Sequence, residues 1–103
     1  MHIEINYRDG NSSQMLDQRI DETLRHTIGH LADRLTRLEV HLGDENAHKG
    51  GTNDKRCLIE ARPKGLDPIA IETHGEDFYE TVKEAAGKLK RALDNRFDKL
   101  GHS

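Results

Sequence analysis

The sequence predicts an α+β domain with the element order β-α-β-β-β-α, in which two helices pack on one face of a four-stranded mixed sheet. Two observations predict this fold. Four short segments alternate apolar and polar residues with a period of two, and two longer segments repeat apolar residues every three or four positions. Glycine, proline and other turn residues separate these segments. A length of 103 residues fits one domain, so we expect 1–103 to form a single unit.

The N-terminal part begins with a strand and continues into a helix. The strand alternates apolar and polar residues from Ile3 to Tyr7, and the turn residues Asp9-Gly10-Asn11 should end it. Ser12 and Ser13 can each cap the next helix, because a hydroxyl there accepts a hydrogen bond from a free backbone N–H. The apolar positions of this helix are Leu16, Ile20, Leu24, Ile28, Leu31 and Leu35.

Three more strands follow the helix. Their inward positions are Leu38, Val40 and Leu42 in the second strand, Cys57, Ile59 and Ala61 in the third, and Ile69 and Ile71 in the fourth. A polar segment from Gly43 to Asp54 separates the second strand from the third, and we expect it to be a mobile loop. The turn Pro63-Lys64-Gly65 joins the third strand to the fourth, which starts after Pro68.

These connections predict the sheet. The first and second strands should be parallel because a helix joins them, and the others should be antiparallel because short loops join them. The helices then cover one face and leave the other to water. That open face should carry Glu4, Arg37, Glu39, His41, Arg56, Glu60, Arg62 and Glu72.

The last helix, predicted from Glu76 to Leu100, has one apolar face and one basic face. Thr73 and Glu76 stand three apart, as in a capping box, and Asp77 adds negative charge near the helix start. The apolar positions are Val82, Ala86, Leu89, Leu93, Phe97 and Leu100. Successive residues of an α-helix are about 100° apart around its axis, so a second stripe of residues lies on a different side of the helix from these apolar positions. We call it the basic stripe, and its members are Lys88, Arg91, Asn95 and Lys99.

Charge is separated along the chain. Residues 83–103 hold six Lys or Arg against three Asp or Glu, whereas residues 1–82 hold ten against sixteen. A basic stripe in an otherwise acidic protein indicates an anionic partner, and phosphate backbones are the usual candidates.

The composition argues against several classes of protein. The N-terminus has no basic segment followed by an apolar run, and no window approaches the 18 or so apolar residues of a membrane span. The single Cys57 cannot form an internal disulfide, so a reducing compartment suits it. We therefore expect a cytoplasmic protein without a membrane partner.

The run Gly75-Glu76-Asp77-Phe78-Tyr79, followed by Lys88-Leu89-Lys90-Arg91-Ala92-Leu93 and ending in Asp98-Lys99-Leu100, resembles the ribosome hibernation promoting factor and protein Y family. The resemblance covers nearly the whole chain. It implies a β-α-β-β-β-α fold whose two basic helices lie in the small ribosomal subunit over the decoding channel. There they would block messenger and transfer RNA binding during stationary phase. Carried over residue by residue, the implied RNA contacts are Lys88, Arg91 and Lys99.

Three features depart from that family. Asn95 stands where the family tends to place a basic residue, which removes one charge from the basic stripe. In typical members the first helix is basic toward its end. Here its cationic and histidine residues are interspersed with four acidic ones, and they are Arg25, His26, His30 and Arg34. The polar segment Gly43 to Asp54 is longer than the usual connection. Ending at Ser103, the chain resembles a short form, without the C-terminal dimerisation domain of long members.

Other chemistry is weakly supported. His26 and His30 stand four apart, but the acid that completes a metalloprotease pattern between them is absent, so we interpret them as surface residues near RNA rather than a metal site. Cys57 shares the inward parity of its strand and is interpreted as a small core residue, not a nucleophile. Tyr79 lies at the margin of the apolar face and is interpreted as structural rather than as an RNA-stacking residue.

Together these observations predict a non-catalytic protein whose partner is the small ribosomal subunit and its RNA, with no cofactor, metal or small-molecule substrate. The predicted RNA-binding residues are Lys88, Arg91, Asn95, Lys99, Arg25, His26, His30 and Arg34. The protein would inhibit translation and store ribosomes under stress. The alternative is a protein-interaction or stress-regulatory module of the same fold with weak or no RNA binding, which the formal net charge of −3 supports.

Overall fold

A four-stranded mixed sheet carries two helices on one face in the computed structural model, which describes residues 1–8, 13–44 and 55–101. The elements are β1 (His2–Tyr7), α1 (Gln14–Ile28), a 3₁₀ segment (Gly29–Arg34), β2 (Leu35–Asp44), β3 (Lys55–Pro63), β4 (Ile69–Gly75) and α2 (Phe78–Gly101). The sheet order is β1-β2-β3-β4, with β1 parallel to β2 and the other pairs antiparallel. The predicted fold class is confirmed.

The core lies between the sheet and the helices. Its buried members are Ile20, Leu24, Ile28, Leu31, Leu35, Leu38, Val40, Leu42, Cys57, Ile59, Ala61, Ile69, Val82, Ala85, Ala86, Leu89, Leu93 and Phe97. Nearly all occupy positions that the alternation or the helical spacing predicted. The register of the strands agrees with a core on one face of the sheet, because Ile5, Val40, Ile59 and Ile71 are aligned across the four strands. The open face therefore carries the predicted charged residues.

The first helix is shorter than its apolar spacing predicts. α1 begins after Ser13, whose hydroxyl accepts a hydrogen bond from the Leu16 N–H at 3.3 Å, so Ser13 is confirmed as a cap. The helix ends at Ile28, and Leu31 lies in the 3₁₀ segment. Leu35 is the first residue of β2 rather than a helix position.

A β-bulge explains how Leu35 keeps its inward position. The register of β2 on β3 shifts between Leu35 and Arg37, so Thr36 is an extra residue, and its hydroxyl donates to the Arg62 carbonyl at 2.9 Å. Without this shift Leu35 and Leu38, three residues apart, would face opposite sides of the sheet. Both are buried.

The start of α2 also differs from the prediction. The cap is Asp77, whose Oδ2 accepts from the Glu80 N–H at 3.3 Å, and the helix begins at Phe78 rather than Glu76. The predicted capping box of Thr73 and Glu76 is wrong, because Thr73 lies in β4 and its buried hydroxyl donates to the Thr81 carbonyl at 2.8 Å.

Two glycine positions are required by this part of the fold. A Cβ at Gly75 would collide with the Thr81 hydroxyl where β4 passes into α2. Gly65, in the predicted turn between β3 and β4, has φ +75°, a conformation that favours glycine.

Several predicted features lie outside the described residues. They are the turn Asp9-Gly10-Asn11, the alternative cap Ser12, residues 45–54 of the polar segment, and the side chain of Leu100. Gly43 and Asp44, predicted to begin that polar segment, are instead the last residues of β2.

Candidate RNA-binding surface

The two helices lie side by side and run parallel, because residues later in α1 and in the 3₁₀ segment contact residues later in α2. In the middle part of α1, the Thr23 hydroxyl donates to the Tyr79 hydroxyl at 3.3 Å, and the Arg19 guanidinium lies 4.1 Å from the Tyr79 ring centre, in the first turn of α2. At the other end, the Arg34 guanidinium of the 3₁₀ segment lies 3.7 Å from the ring centre of Phe97. Tyr79 is half-buried in this contact, which supports its structural interpretation.

All four residues of the basic stripe are exposed on α2. Lys88 pairs with Glu84 one turn earlier at 3.3 Å. The side chains of Arg91, Asn95 and Lys99 make no hydrogen bond or ion pair with the described residues. Arg91 and Lys99 are therefore cations whose charge no neighbour in the described structure neutralises, which leaves them available to an anion.

The four candidates from the first helical half are exposed but differ in their surroundings. Arg25 pairs with Asp21 at 2.7 Å, whereas the imidazole of His26 makes no hydrogen bond or ion pair with the described residues. His30 and Arg34 lie on the 3₁₀ segment, beyond the end of α1. His26 and His30 thus do not form a helical pair, contrary to the spacing argument.

His30 points at α2 and contacts Asp94. Its Nε2 lies 3.2 Å from Asp94 Oδ1, and the Lys90 Nζ lies 3.3 Å from the other carboxylate oxygen. Partial desolvation alone would raise the pKa of Asp94, but the hydrogen bonds from His30 and Lys90 outweigh it and hold that pKa below its usual value. An ionised carboxylate therefore stands between the two helical elements at neutral pH.

The eight candidates do not form one continuous patch. Tyr79, Asp94 and Phe97 mark the flank of α2 that faces α1 and the 3₁₀ segment, since each contacts one of them. At about 100° per residue, the basic stripe lies on the opposite flank of the outer surface. His30 and Arg34 instead lie at the boundary between α2 on one side and α1 with the 3₁₀ segment on the other, which we call the seam.

The seam contains cations that the sequence argument missed. Lys83 and Lys90 are exposed, and their spacing of seven residues places them on the same flank of α2 as Asp94. That spacing could be read from the sequence, but only the contacts of Tyr79, Asp94 and Phe97 identify this flank as the one beside α1 and the 3₁₀ segment.

Cys57 is not available for chemistry. The side chain is fully buried, and burial raises the pKa of its thiol to about 12, although the nearby Arg56 acts in the opposite direction. The thiol therefore stays protonated near neutral pH, and its interpretation as a core residue is confirmed.

In the described part of the chain, neither helix has an apolar stretch long enough to cross a lipid bilayer.

The fold matches known structures, and the sequence matches a family profile. The chain is similar to a ribosomal subunit interface protein from Coxiella burnetii, with a TM-score of 0.80 and 19% identity over 95% of this chain and 99% of that one. It is also similar to the N-terminal domain of Protein Y from Thermus thermophilus, with a TM-score of 0.72 and 17% identity over 92% of this chain and 98% of that one.

No match was found among curated protein sequences. A family profile described as Sigma 54 modulation protein / S30EA ribosomal protein matches residues 3–101. Since that match spans nearly the whole chain, the protein belongs to the Sigma 54 modulation protein / S30EA ribosomal protein family.

Proposed function

We propose that this protein binds the small ribosomal subunit through the outer surface of its helices, inhibits translation by occupying a site that messenger or transfer RNA must use, and so stores ribosomes under stress. Family membership and the two similar structures, one described as a ribosomal subunit interface protein, support a ribosomal partner. The observation that carries the RNA surface is the exposed basic stripe, in which Arg91 and Lys99 lack a partner among the described residues.

The chemistry of this surface favours contact with phosphates. Several Lys and Arg side chains on successive helical turns can match the phosphate spacing of folded RNA, which proteins recognise largely by shape and backbone. All four aromatic side chains lie in the described part of the chain, and each is buried or half-buried. The surface therefore lacks the stacking platform that single-strand binders use.

The proposed action is occupancy rather than catalysis, in the cytoplasm where ribosomes work. The protein needs no nucleophile for this role, and its single thiol is buried and protonated. The basic stripe would lie against the RNA, and the cations of the seam would extend the contact toward α1.

A protein-interaction or stress-regulatory module with weak RNA binding is the second candidate. The observation that favours it is the pairing of surface cations with carboxylates. Glu84 holds Lys88, Asp94 holds Lys90, and Asp21 holds Arg25. Each pair lowers the positive potential offered to RNA, in a chain of formal net charge −3.

Sedimentation with ribosomes distinguishes the two candidates. We expect the protein to pellet with the small subunit at low salt and to be released as salt rises. About three or four phosphate contacts imply a slope of roughly −2 to −4 in a plot of log binding constant against log salt concentration. Binding that is absent at low salt, or that does not respond to salt, would contradict the RNA surface and favour the interaction module.

Lowering the pH from about 8 to about 6 is expected to tighten ribosome binding, because an ordinary imidazole gains positive charge in this window and two of the RNA-binding candidates are histidines. Asp94 does not titrate there, since its pKa lies below the usual carboxyl value. The variant His26→Ala/His30→Ala should lose most of the pH dependence. Because Asp94 partly neutralises a charged His30, His26→Ala alone should lose more than His30→Ala alone. An unchanged pH profile in the double variant would show that neither imidazole faces RNA.

A further inference from the structure

Three side chains of the kinds that can bind a metal ion lie close together on the open face of the sheet, opposite the helices. Glu39 and His41 are two residues apart in β2 and so share a face, and Glu60 is the register partner of Glu39 in β3. One ligand atom from each of the three side chains lies within 4.8 Å of the other two. Strand alternation, rather than helical spacing, brings these groups together.

The distances suit a shared ion better than direct hydrogen bonds. His41 Nε2 lies 3.4 Å from Glu60 Oε1 and 3.6 Å from Glu39 Oε2. That nitrogen is buried and makes no hydrogen bond. Two ligands of a tetrahedral zinc ion, each about 2.0–2.2 Å from the metal, stand about 3.3–3.5 Å apart. The imidazole nitrogen therefore lies at the spacing of a co-ligand of the two carboxylates.

The charges around the cluster favour a cation. Glu4, Glu39 and Glu60 are directly opposite one another on three adjacent strands, an arrangement in which like charges repel. Arg37 offsets only part of this charge, through ion pairs with Glu4 and with Glu39. A divalent cation between the carboxylates would remove the remaining excess.

Arg37 also approaches this cluster. Its Nε lies 2.9 Å from Oε1 of Glu39 without making a hydrogen bond, while Oε2 is the oxygen that faces His41. The ion pair therefore involves one carboxylate oxygen of Glu39 and leaves the other toward His41.

We propose that Glu39, His41 and Glu60 bind one divalent transition metal ion of the zinc class. One nitrogen and two oxygen ligands suit zinc, and three protein ligands leave a fourth position for water or for a side chain of a partner. A cavity of about 390 Å³ borders His41 and Glu60 and provides room for that fourth ligand. The site is independent of the proposed RNA surface, which lies on the other side of the molecule.

Calorimetric titration of the full chain with zinc chloride at about pH 7.5, where imidazole is mostly neutral, tests this proposal. We expect a binding event of one ion per chain that His41→Gln weakens by at least about tenfold, a loss that even residues outside the ligand set can cause. The matched control is His74→Gln. It removes a histidine of β4 that lies on the same face of the sheet but outside the cluster, and it should leave zinc binding unchanged. Visible absorption of the cobalt-loaded protein should show direct coordination in the control and lose it in His41→Gln.

The change in melting temperature on adding zinc is a second test, which can be made with another variant if His41→Gln folds poorly. Zinc should raise the melting temperature of the natural chain, because a ligand that binds only the folded state stabilises it, and Glu60→Gln should respond less. The proposal is overturned if no stoichiometric uptake occurs, or if folded His41→Gln takes up zinc as the natural chain does.

Discussion

Reversing two charges of the basic stripe, in the variant Lys88→Glu/Arg91→Glu, is expected to abolish ribosome binding and leave the protein folded. Both side chains are exposed on α2, and substitutions on such a surface change the free energy of unfolding by about 0.5 kcal/mol or less each. The one ion pair that is lost, between Lys88 and Glu84, is worth only a few tenths of a kcal/mol at this exposure. Binding should nevertheless be lost, because two attractions to phosphate become repulsions.

A matched control separates a local contact from a general effect of net charge. The variant Arg8→Glu/Arg62→Glu changes the formal net charge by the same amount, but its two exposed positions follow β1 and lie near the end of β3, toward the open face of the sheet. It should still pellet with ribosomes at low salt. If the control loses binding as well, net charge rather than the stripe governs association. If the folded Lys88→Glu/Arg91→Glu protein pellets like the natural chain, the RNA surface lies elsewhere.

The predictable part of this fold is the part that depends on burial. Alternation identified most of the inward strand residues, although it missed Thr73 in β4, and helical spacing identified the buried face of α2, because both patterns follow directly from backbone geometry. The boundary between α1 and β2 was not predictable in this way. Leu31 and Leu35 continue a helical spacing in sequence, yet a 3₁₀ segment and a β-bulge at Thr36 keep both side chains inward. Periodicity reports which residues are buried, not which backbone buries them.

The candidate surface shows the same limit. The exposure of the basic stripe could be predicted from α2 alone, because it depends on one helix and its core. The surroundings of His30 could not, since its contact with Asp94 joins residues far apart in sequence. Glu39, His41 and Glu60 were predicted to share the open face, but their convergence depends on the register between β2 and β3. Sequence patterns place residues on faces, whereas tertiary contacts decide which residues of a face meet.

Truncating Leu89 to alanine is expected to cost about 2 to 5 kcal/mol of unfolding free energy, the largest stability effect we predict. Leu89 is fully buried in the core between α2 and the sheet, and removing its terminal carbons loses contacts that the surrounding side chains cannot restore. A domain of this size has a total stability of about 5 to 15 kcal/mol, so the loss is a large fraction of the whole. Urea unfolding measures it, with Lys88→Ala as the neighbouring exposed control that should change stability by about 0.5 kcal/mol or less.

Ribosome binding by Leu89→Ala should differ from that of the charge-reversed variant. At temperatures where the truncated protein stays folded, its basic stripe is intact, so its binding should keep the salt dependence of the natural chain. Binding should fall only as the folded fraction falls, and both should decline together as urea or temperature rises. A folded Leu89→Ala protein that fails to bind would show that the buried and basic faces of α2 are not independent. A stability loss below about 1 kcal/mol would contradict the packing of Leu89, because fully buried leucines cost at least about twice that when truncated.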